Sequence, residues 1–413
     1  MVDSLTVMTA ETSGDTAPPT RTDTLLVTLT GPDRPGVTSQ LLATLARAGV
    51  EVVDLEQIIL RRRLVLGVLV TVPSALDELA SRVEQVAAEL GMQVELERGT
   101  GDNSARPRGR SHVTVIGAPL LATAMAEITA LIAGTGANID RIERMARYPV
   151  TAIELHVSGA DPDVLRTLLA EASARLGVDL AVQPAGLQRR GRRLIVMDVD
   201  STLVQGEVIE MLARRAGCED EVREVTEAAM RGELDFAESL HARVERLAGV
   251  PESALDEVYD ELRLARGART MVRTLRRLGY RFAIVSGGFS QVTDRLAADL
   301  GIDYARANTL EVVDGRLTGR ILGEVVDRPG KARALREFAR AAGIDVSATI
   351  AVGDGANDLD MLAAAGLGIA YNAKPAVREA ADTSVNVPYL DTIVYLLGIS
   401  REEVEAADAA DLD

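Results

Sequence analysis

The sequence predicts an α/β chain: a doubly wound parallel sheet with a small helical cap, preceded by two α+β units of ferredoxin-like order. Three observations carry this expectation. At 413 residues the chain is too long for one ordinary core. The strand and helix patterns of residues 24–97 recur in the same order in 112–183. From Leu194 onward, short apolar strands alternate with helical periodicity, as a parallel sheet requires.

Residues 1–23 are rich in Thr, Ser, Ala and Pro and are expected to be disordered; they lack the basic flank and apolar core of a signal peptide. The first unit reads as strand 24–30, helix 36–47, strands 50–60 and 64–72, helix 76–90 and strand 92–96. Residues 97–111, ERGTGDNSARPRGRS, have no periodicity and read as a linker. The second unit repeats the order: strand 112–116, a helix near 120–134, strands 138–145 and 151–157, helix 162–176 and strand 179–182. Aligning Gly49-Val50-Glu51-Val52 with Gly136-Ala137-Asn138-Ile139 also matches Leu55-Glu56 to Ile142-Glu143, so both units read as βαββαβ. Residues 183–193 form a second linker, and its four arginines read as a solvated hinge on so acidic a chain.

The third block spans 194–400, with strands at 194–197, 281–285 and 349–352. Asp314-Gly315, between apolar runs 310–313 and 316–321, signals a hairpin. Residues 206–266 carry helical periodicity alone and read as a cap inserted after the first strand. The acidic tail, 401–413, is expected to fray.

Charge and cysteine usage exclude several functions. The net charge, 45 − 62 = −17, argues against nucleic acid or an anionic membrane as partner. The longest strongly apolar run, 64–72, is too short to span a bilayer. One cysteine, Cys218, excludes an intrachain disulfide and fits the cytoplasm. It also fails as a Cys-x5-Arg nucleophile, since Glu224 stands where Arg is needed. His112, His156 and His241 are scattered in sequence, suggesting neither a histidine metal cluster nor a phosphohistidine centre.

Four segments carry the chemistry. Asp198-Val199-Asp200-Ser201-Thr202 follows the buried run Leu194-Ile195-Val196-Met197, so two carboxylates two residues apart can face one edge of the sheet. A phosphomonoester needs an in-line nucleophile, a proton for its leaving alkoxide and neutralised charge. Asp198 is the candidate nucleophile and Asp200 the general acid, later the base. A hydrogen-bonded turn with Ser201 or Thr202 capping a helix is the competing reading of these five residues alone. Ser286-Gly287-Gly288 after Ile284-Val285 offers a hydroxyl and backbone N–H groups as an anion cradle; an ordinary glycine turn competes with it. Lys331, in the opening turn of a helix where the dipole disfavours a cation, tilts toward a phosphate ligand. Gly353-Asp354-Gly355-Ala356-Asn357-Asp358 brings hard oxygens suited to Mg²⁺, with Asp354 as partner of Asp198 and Asp358 in support.

In this order the motifs resemble the haloacid dehalogenase (HAD) superfamily of aspartate-nucleophile phosphatases. The spacing and cap are similar to its phosphoserine phosphatases. The resemblance covers 194–400 and implies Mg²⁺ on Asp198, Asp354 and the main-chain carbonyl of Asp200. It implies phosphate held by Ser286 and Lys331, with Gly287 and Asn357 nearby. It further implies that Glu207 binds the substrate ammonium and Arg243 its carboxylate, under an apolar lid of Met230 and Phe236. A bidentate guanidinium suits a carboxylate, and a carboxylate suits an ammonium. The expected activity is Mg²⁺-dependent hydrolysis of O-phospho-L-serine, the last step of serine biosynthesis. Transfer to another amino-acid alcohol such as homoserine and a non-catalytic amino-acid sensor are the rivals.

The first N-terminal unit, with Gly31-Pro32-Asp33-Arg34-Pro35-Gly36 between strand and helix, resembles an ACT domain. The second is similar in pattern but carries Gly117-Ala118-Pro119 there instead. The resemblance implies a homodimer and an amino-acid effector such as serine, with Asp33, Arg34 and Gly36 as the effector loop.

Overall fold

The computed structural model of this chain describes residues 23–100, 109–186, 189, 191, 193–230 and 233–410, without the side chain of Met230. Of the start expected to be disordered (residues 1–23), residues 1–22 lie outside the described residues and Asp23 belongs to the first strand; most of the first linker (101–108) and the last three residues also lie outside the described residues. The chain divides into two compact units between residues 106 and 107.

In the first unit, β1 (Asp23–Pro32), α1 (Val37–Arg47), β2 (Val52–Leu60), β3 (Arg63–Thr71), α2 (Leu76–Leu90) and β4 (Gln93–Thr100) follow in βαββαβ order. Their sheet is antiparallel and ordered β2-β3-β1-β4. The period-two alternation of β1 and β3 puts Leu25, Val27, Leu29, Leu66, Val68 and Val70 in one core with residues of both helices. The edge strand β2 is nearly all exposed, including Ile58 and Leu60.

The second unit opens with the same topology: β5 (Ser111–Gly117), α3 (Ala122–Gly134), β6 (Asn138–Ala146), β7 (Thr151–Ser158), α4 (Pro162–Leu176) and β8 (Asp179–Pro184), ordered β6-β7-β5-β8. Asp161 caps α4 by accepting from Asp163 N at 2.8 Å, with Pro162 pre-set at the first helical position. Ile116, Met145, Ala152 and Ala181 of this sheet join one core with the large sheet that follows. Asp179 extends the junction by accepting from Asn386 N, Asn386 Nδ2 and Val387 N at 2.7–3.1 Å.

The large sheet is doubly wound, as expected. After β9 (Leu194–Met197) come the cap helices α5 (Val208–Ala216), α6 (Glu219–Met230), α7 (Phe236–Glu245) and α8 (Ser253–Glu261). Then follow α9 (Ala268–Arg277), β10 (Arg281–Phe289), α10 (Ser290–Leu300), β11 (Tyr304–Val313), β12 (Arg316–Leu322), α11 (Arg328–Ala342), β13 (Thr349–Gly353), α12 (Leu359–Ala364), β14 (Leu367–Tyr371), α13 (Pro375–Ala380), β15 (Thr383–Val385), α14 (Ile393–Leu396) and α15 (Arg401–Ala410). The order is β12-β11-β10-β9-β13-β14-β15, parallel except for β12. β12 closes a hairpin whose Asp314 and Gly315 both have positive φ, 51° and 70°, as a type I′ turn demands.

The central strands are buried on both faces, which is why they read as unbroken apolar runs. Leu194 and Val196 of β9 enter one layer with Ala283 and Val285, while Ile195 and Met197 enter the other with Phe282 and Ile284. The cap has its own core, in which Leu212, Leu240, Val244 and Val258 meet Phe289, Val292, Leu310 and Leu317 of the sheet domain.

Two expectations are corrected. The second linker is not simply a solvated hinge: Gln183 is buried and donates to Leu396 O at 2.7 Å. Arg189 is buried as well, donating to Leu396 O at 2.9 Å and to both carboxylate oxygens of Glu154. A guanidinium fork can be buried where a carboxylate and carbonyls satisfy it together. The acidic tail does not fray at its start but forms α15, with Val404 buried and Asp408 paired to Arg273 and Arg277. No described helix is long and apolar enough to cross a membrane.

Candidate active site

Ile284, Met197 and Val352 lie in register on the adjacent strands β10, β9 and β13. Their chain continuations therefore emerge together at the carboxyl edge of the sheet, where open α/β sheets bind ligands. Those continuations are Val285-Ser286, Asp198 and Gly353-Asp354.

Asp198 is buried, and its N–H donates to Val352 O at 2.9 Å. The chain then makes one tight turn over Val199–Leu203, with Ser201 at φ 58°. This turn aims Asp200 back toward the cleft. Asp200 Oδ1 accepts from Val208 N, at the start of α5, at 2.8 Å; Oδ2 accepts from Ser286 Oγ at 3.0 Å. The capping residue of this motif is therefore Asp200, where the competing reading placed Ser201 or Thr202. Thr202 instead donates to Asp354 Oδ1 at 3.0 Å.

Ser286 has no exposed surface, and its Oγ also accepts from Gly288 N at 2.7 Å. A Cβ at Gly288 would fall 2.8 Å from Asp200 Oδ2, and one at Gly287 would fall 2.9 Å from Phe236 Cζ. The loop can lie this close to the carboxylate and the cap ring only because both positions are glycine.

Lys331 enters from the first turn of α11, whose cap Asp327 accepts from Gly330 N at 2.7 Å. Its fully buried Nζ lies 2.6 Å from Asp198 Oδ1 and 2.7 Å from Asp358 Oδ1. Asp358 Oδ2 accepts from Gly355 N at 3.0 Å, closing the Asp354–Asp358 loop on itself. A Cβ at Gly355 would fall 2.2 Å from Oδ1 of the half-buried Asn357. Asp198, Asp354 and Asp358 each offer an oxygen within 4.8 Å of the others. The carboxylate of Asp200 stands outside that trio, held by Val208 and Ser286.

So many carboxylates around one ammonium leave an excess of negative charge. Burial, followed by repulsion from Asp358, raises Asp198 well above the carboxylate range although Lys331 pulls it down. Burial raises Asp200 as well. Asp354 is pushed up to about 6 by burial and Asp358. Glu207 is pushed up to about 7 by burial and then by Asp200 and Asp354, with Arg243 opposing. Burial would strip Lys331 of its proton, but Asp198 and Asp358 reverse that and raise its pKa.

On the cap side, Glu207 immediately precedes α5 and accepts from Ser201 Oγ at 3.4 Å. Arg243, in the last turn of α7, is half-buried with Nε donating to Ser239 O at 3.3 Å. Burial lowers its pKa while Glu207 and Asp200 raise it. Phe236 starts α7 behind the reciprocal Asp235–Glu238 capping box. The side chain of Met230 lies outside the described residues. Asp33, Arg34 and Gly36 occupy an exposed turn of the first unit, where Asp33 N donates to Arg62 O at 2.8 Å and Gly36 has φ 97°.

Sequence reasoning missed Asn308. It is buried on β11, donating to Gly287 O and accepting from Val326 N, both at 2.8 Å. It thereby ties the Ser-Gly-Gly loop to the segment that leads into Lys331. A lone Asn in a strand gives no sequence signal for that role.

Residues 195–363 match the haloacid dehalogenase-like hydrolase family, and residues 23–97 and 110–183 each match an ACT domain. The chain is 62% identical over 387 residues to a phosphoserine phosphatase of Streptomyces coelicolor, covering 93% of this chain and 94% of that one. It is 52% identical over 392 residues to phosphoserine phosphatase SerB2 of Mycobacterium tuberculosis, covering 94% and 96%. A HAD family hydrolase structure from Salmonella enterica superposes with a TM-score of 0.62 at 29% identity, covering 70% of this chain and 98% of that one. The chain belongs to the phosphoserine phosphatases of the haloacid dehalogenase-like hydrolases, with two ACT domains ahead of the hydrolase domain.

Proposed function

We propose that this enzyme hydrolyses O-phospho-L-serine to L-serine and phosphate through a phosphoaspartyl intermediate on Asp198, with Mg²⁺ as cofactor. The single observation that carries the reading is Lys331 Nζ held between Asp198 Oδ1 and Asp358 Oδ1. That contact fixes Asp198 at the strand end, while its Oδ2 accepts no hydrogen bond among the described residues.

In the first step Asp198 attacks phosphorus, the bond to the serine oxygen breaks, and Asp200 gives that oxygen a proton. Burial raises Asp200, the direction a general acid needs. In the second step Asp200 takes a proton from water as the water oxygen attacks phosphorus, releasing phosphate and restoring Asp198. Ser286, the backbone of Gly287 and Lys331 would hold the phosphoryl oxygens, with Asn357 nearby; Asn308 positions Gly287 through its carbonyl.

The donor set fits a hard divalent cation: three buried or half-buried carboxylates meet with too little positive charge. Both oxygens of Asp358 are taken by Lys331 and Gly355, so Asp198 and Asp354 would hold the ion, with the main-chain oxygen of Asp200. Bound Mg²⁺ would neutralise phosphoryl charge during transfer. Glu207 and Arg243 are near enough for each to shift the other's pKa, and a carboxyl beside a guanidinium supports a zwitterionic substrate and thus phosphoserine.

The N-terminal ACT domains support regulation by an amino acid such as serine at the loop of Asp33, Arg34 and Gly36. A homodimer is supported by the exposed apolar edge strand β2, and the single Cys218 supports a cytoplasmic setting. Release of phosphate from O-phosphoserine tests the central reading. Activity that requires Mg²⁺, stops with chelator and is lost in a folded Asp198→Asn variant is expected; full turnover by that variant contradicts it.

A further inference from the structure

Away from the hydrolase cleft, the sheet of the second ACT domain gathers two imidazoles and a carboxylate. Two of the three histidines scattered in sequence, His112 and His156, thus meet in the fold, while His241 lies apart in the cap. His112 on β5 and His156 on β7 are direct cross-strand partners, and Glu154 lies two residues before His156. The period of two puts all three side chains on one face. The two rings meet edge to face, with centroids 4.6 Å apart.

His112 Nδ1 lies 3.1 Å, and His156 Nε2 3.4 Å, from the same oxygen, Glu154 Oε1. Both nitrogens are buried, yet neither makes a hydrogen bond of acceptable geometry among the described residues. Leaving a buried polar atom unsatisfied costs about 1–3 kcal/mol, so two converging on one point call for a shared partner. Four-coordinate zinc, with bonds of about 2.0–2.1 Å, holds neighbouring ligand atoms roughly 3.3 Å apart. The two N···O separations match that spacing, and all three ligand atoms lie within 4.8 Å of one another.

We propose that His112, Glu154 and His156 form a binding site for a zinc-class divalent cation, separate from the carboxylate site of the hydrolase domain. Glu143, the cross-strand neighbour of Glu154, stands at the edge of this trio: its Oε2 lies 3.6 Å from His156 Nε2, while its Oε1 pairs with Arg141 at 2.7 Å. Mixed imidazole and carboxylate donors suit Zn²⁺, Co²⁺ or Ni²⁺ far better than Mg²⁺. Arg189 donates to Glu154 from the other side and to Leu396 O. It can keep Oε2 while Oε1 turns to the ion, as outer partners of ligating carboxylates do. Arg189 and Arg141 offset the charges of Glu154 and Glu143, so the affinity for the ion comes from the two imidazoles and the Glu154 oxygen. Both imidazoles are partly exposed, 19% and 26%, which opens a path from solvent.

The test uses the full chain in saturating Mg²⁺ with Co²⁺ as a coloured probe. One Co²⁺ per chain is expected, with the visible absorption of a tetrahedral nitrogen/oxygen site, and Zn²⁺ should displace it. The band should vanish in the His112→Asn, His156→Gln double variant while Mg²⁺-dependent phosphatase activity persists. If that variant fails to fold, His156→Gln alone and His112→Asn alone serve, each expected to weaken Co²⁺ binding. Absence of the band in the wild type, or an undiminished band in the folded variants, overturns the assignment.

Discussion

Lys331 Nζ lies 2.6 Å from Asp198 Oδ1 and 2.7 Å from Asp358 Oδ1, with none of its side chain exposed. A buried ammonium is tolerated only when paired, and here one cation holds two carboxylates from two different strand ends. Lys331→Met leaves both carboxylates buried without a counter-charge. It should abolish turnover and destabilise the hydrolase domain by about 3–5 kcal/mol. Added Mg²⁺ should recover part of the stability and none of the activity, as thermal unfolding beside a phosphate-release assay would reveal.

Gly288 tests the tightness of the cradle. A methyl group there meets Asp200 Oδ2 at 2.8 Å and Ser286 Oγ at 3.0 Å, so Gly288→Ala must displace the proposed general acid. A misplacement near 1 Å costs about 10²-fold in rate. The variant should fold normally and lose kcat to about that extent. An unchanged kcat would mean that the proton does not pass through Asp200.

The cap residues separate substrate recognition from chemistry. Arg243→Ala and Glu207→Gln should lower kcat/KM for O-phosphoserine by about 10²–10³-fold, the effect of losing a desolvated charge contact. Hydrolysis of p-nitrophenyl phosphate, which has no amino-acid moiety, should change only a few-fold. Equal losses on both substrates would assign these residues to the reaction itself.

Stability should depend on pH with a defined sign. Asp354 and Glu207 are pushed up to about 6 and about 7, whereas unfolded carboxylates titrate near about 4. The folded state binds these protons more tightly, so the contribution is present below about pH 4. It is lost as pH rises through about 6 to 7. Mg²⁺ held by Asp354 competes with the proton on that residue. Its effect on Tm should therefore be several degrees at pH 8 and small at pH 5. Equal shifts at both pH values would show that Asp354 is not linked to the ion.

The parts of this molecule legible in sequence are those whose signal is local. Leu194-Ile195-Val196-Met197 reads as a strand buried on both faces because four consecutive apolar residues leave no solvent side. The carboxylates of Asp198 and Asp354 then fall at strand ends. Arg189 was illegible because its carboxylate, Glu154, comes from a strand 35 residues earlier, and nothing nearby distinguishes it from its neighbours. His112 and His156 meet only through the β5–β7 register, which could have been found by pairing the two expected strands antiparallel. The tail offered a readable helix signal in Arg401–Glu405 at i, i+4 spacing, outweighed by its charge. Asn308 acts through two backbone groups that no residue pattern encodes.

The most direct test of covalent catalysis is rapid acid quenching of the working enzyme with ³²P-labelled O-phosphoserine and Mg²⁺, followed by peptide mapping. The account predicts acid-stable, base-labile label on the peptide carrying Asp198, and none in Asp198→Asn. Turnover at the normal rate with no label on that peptide, or label on another residue, would contradict it.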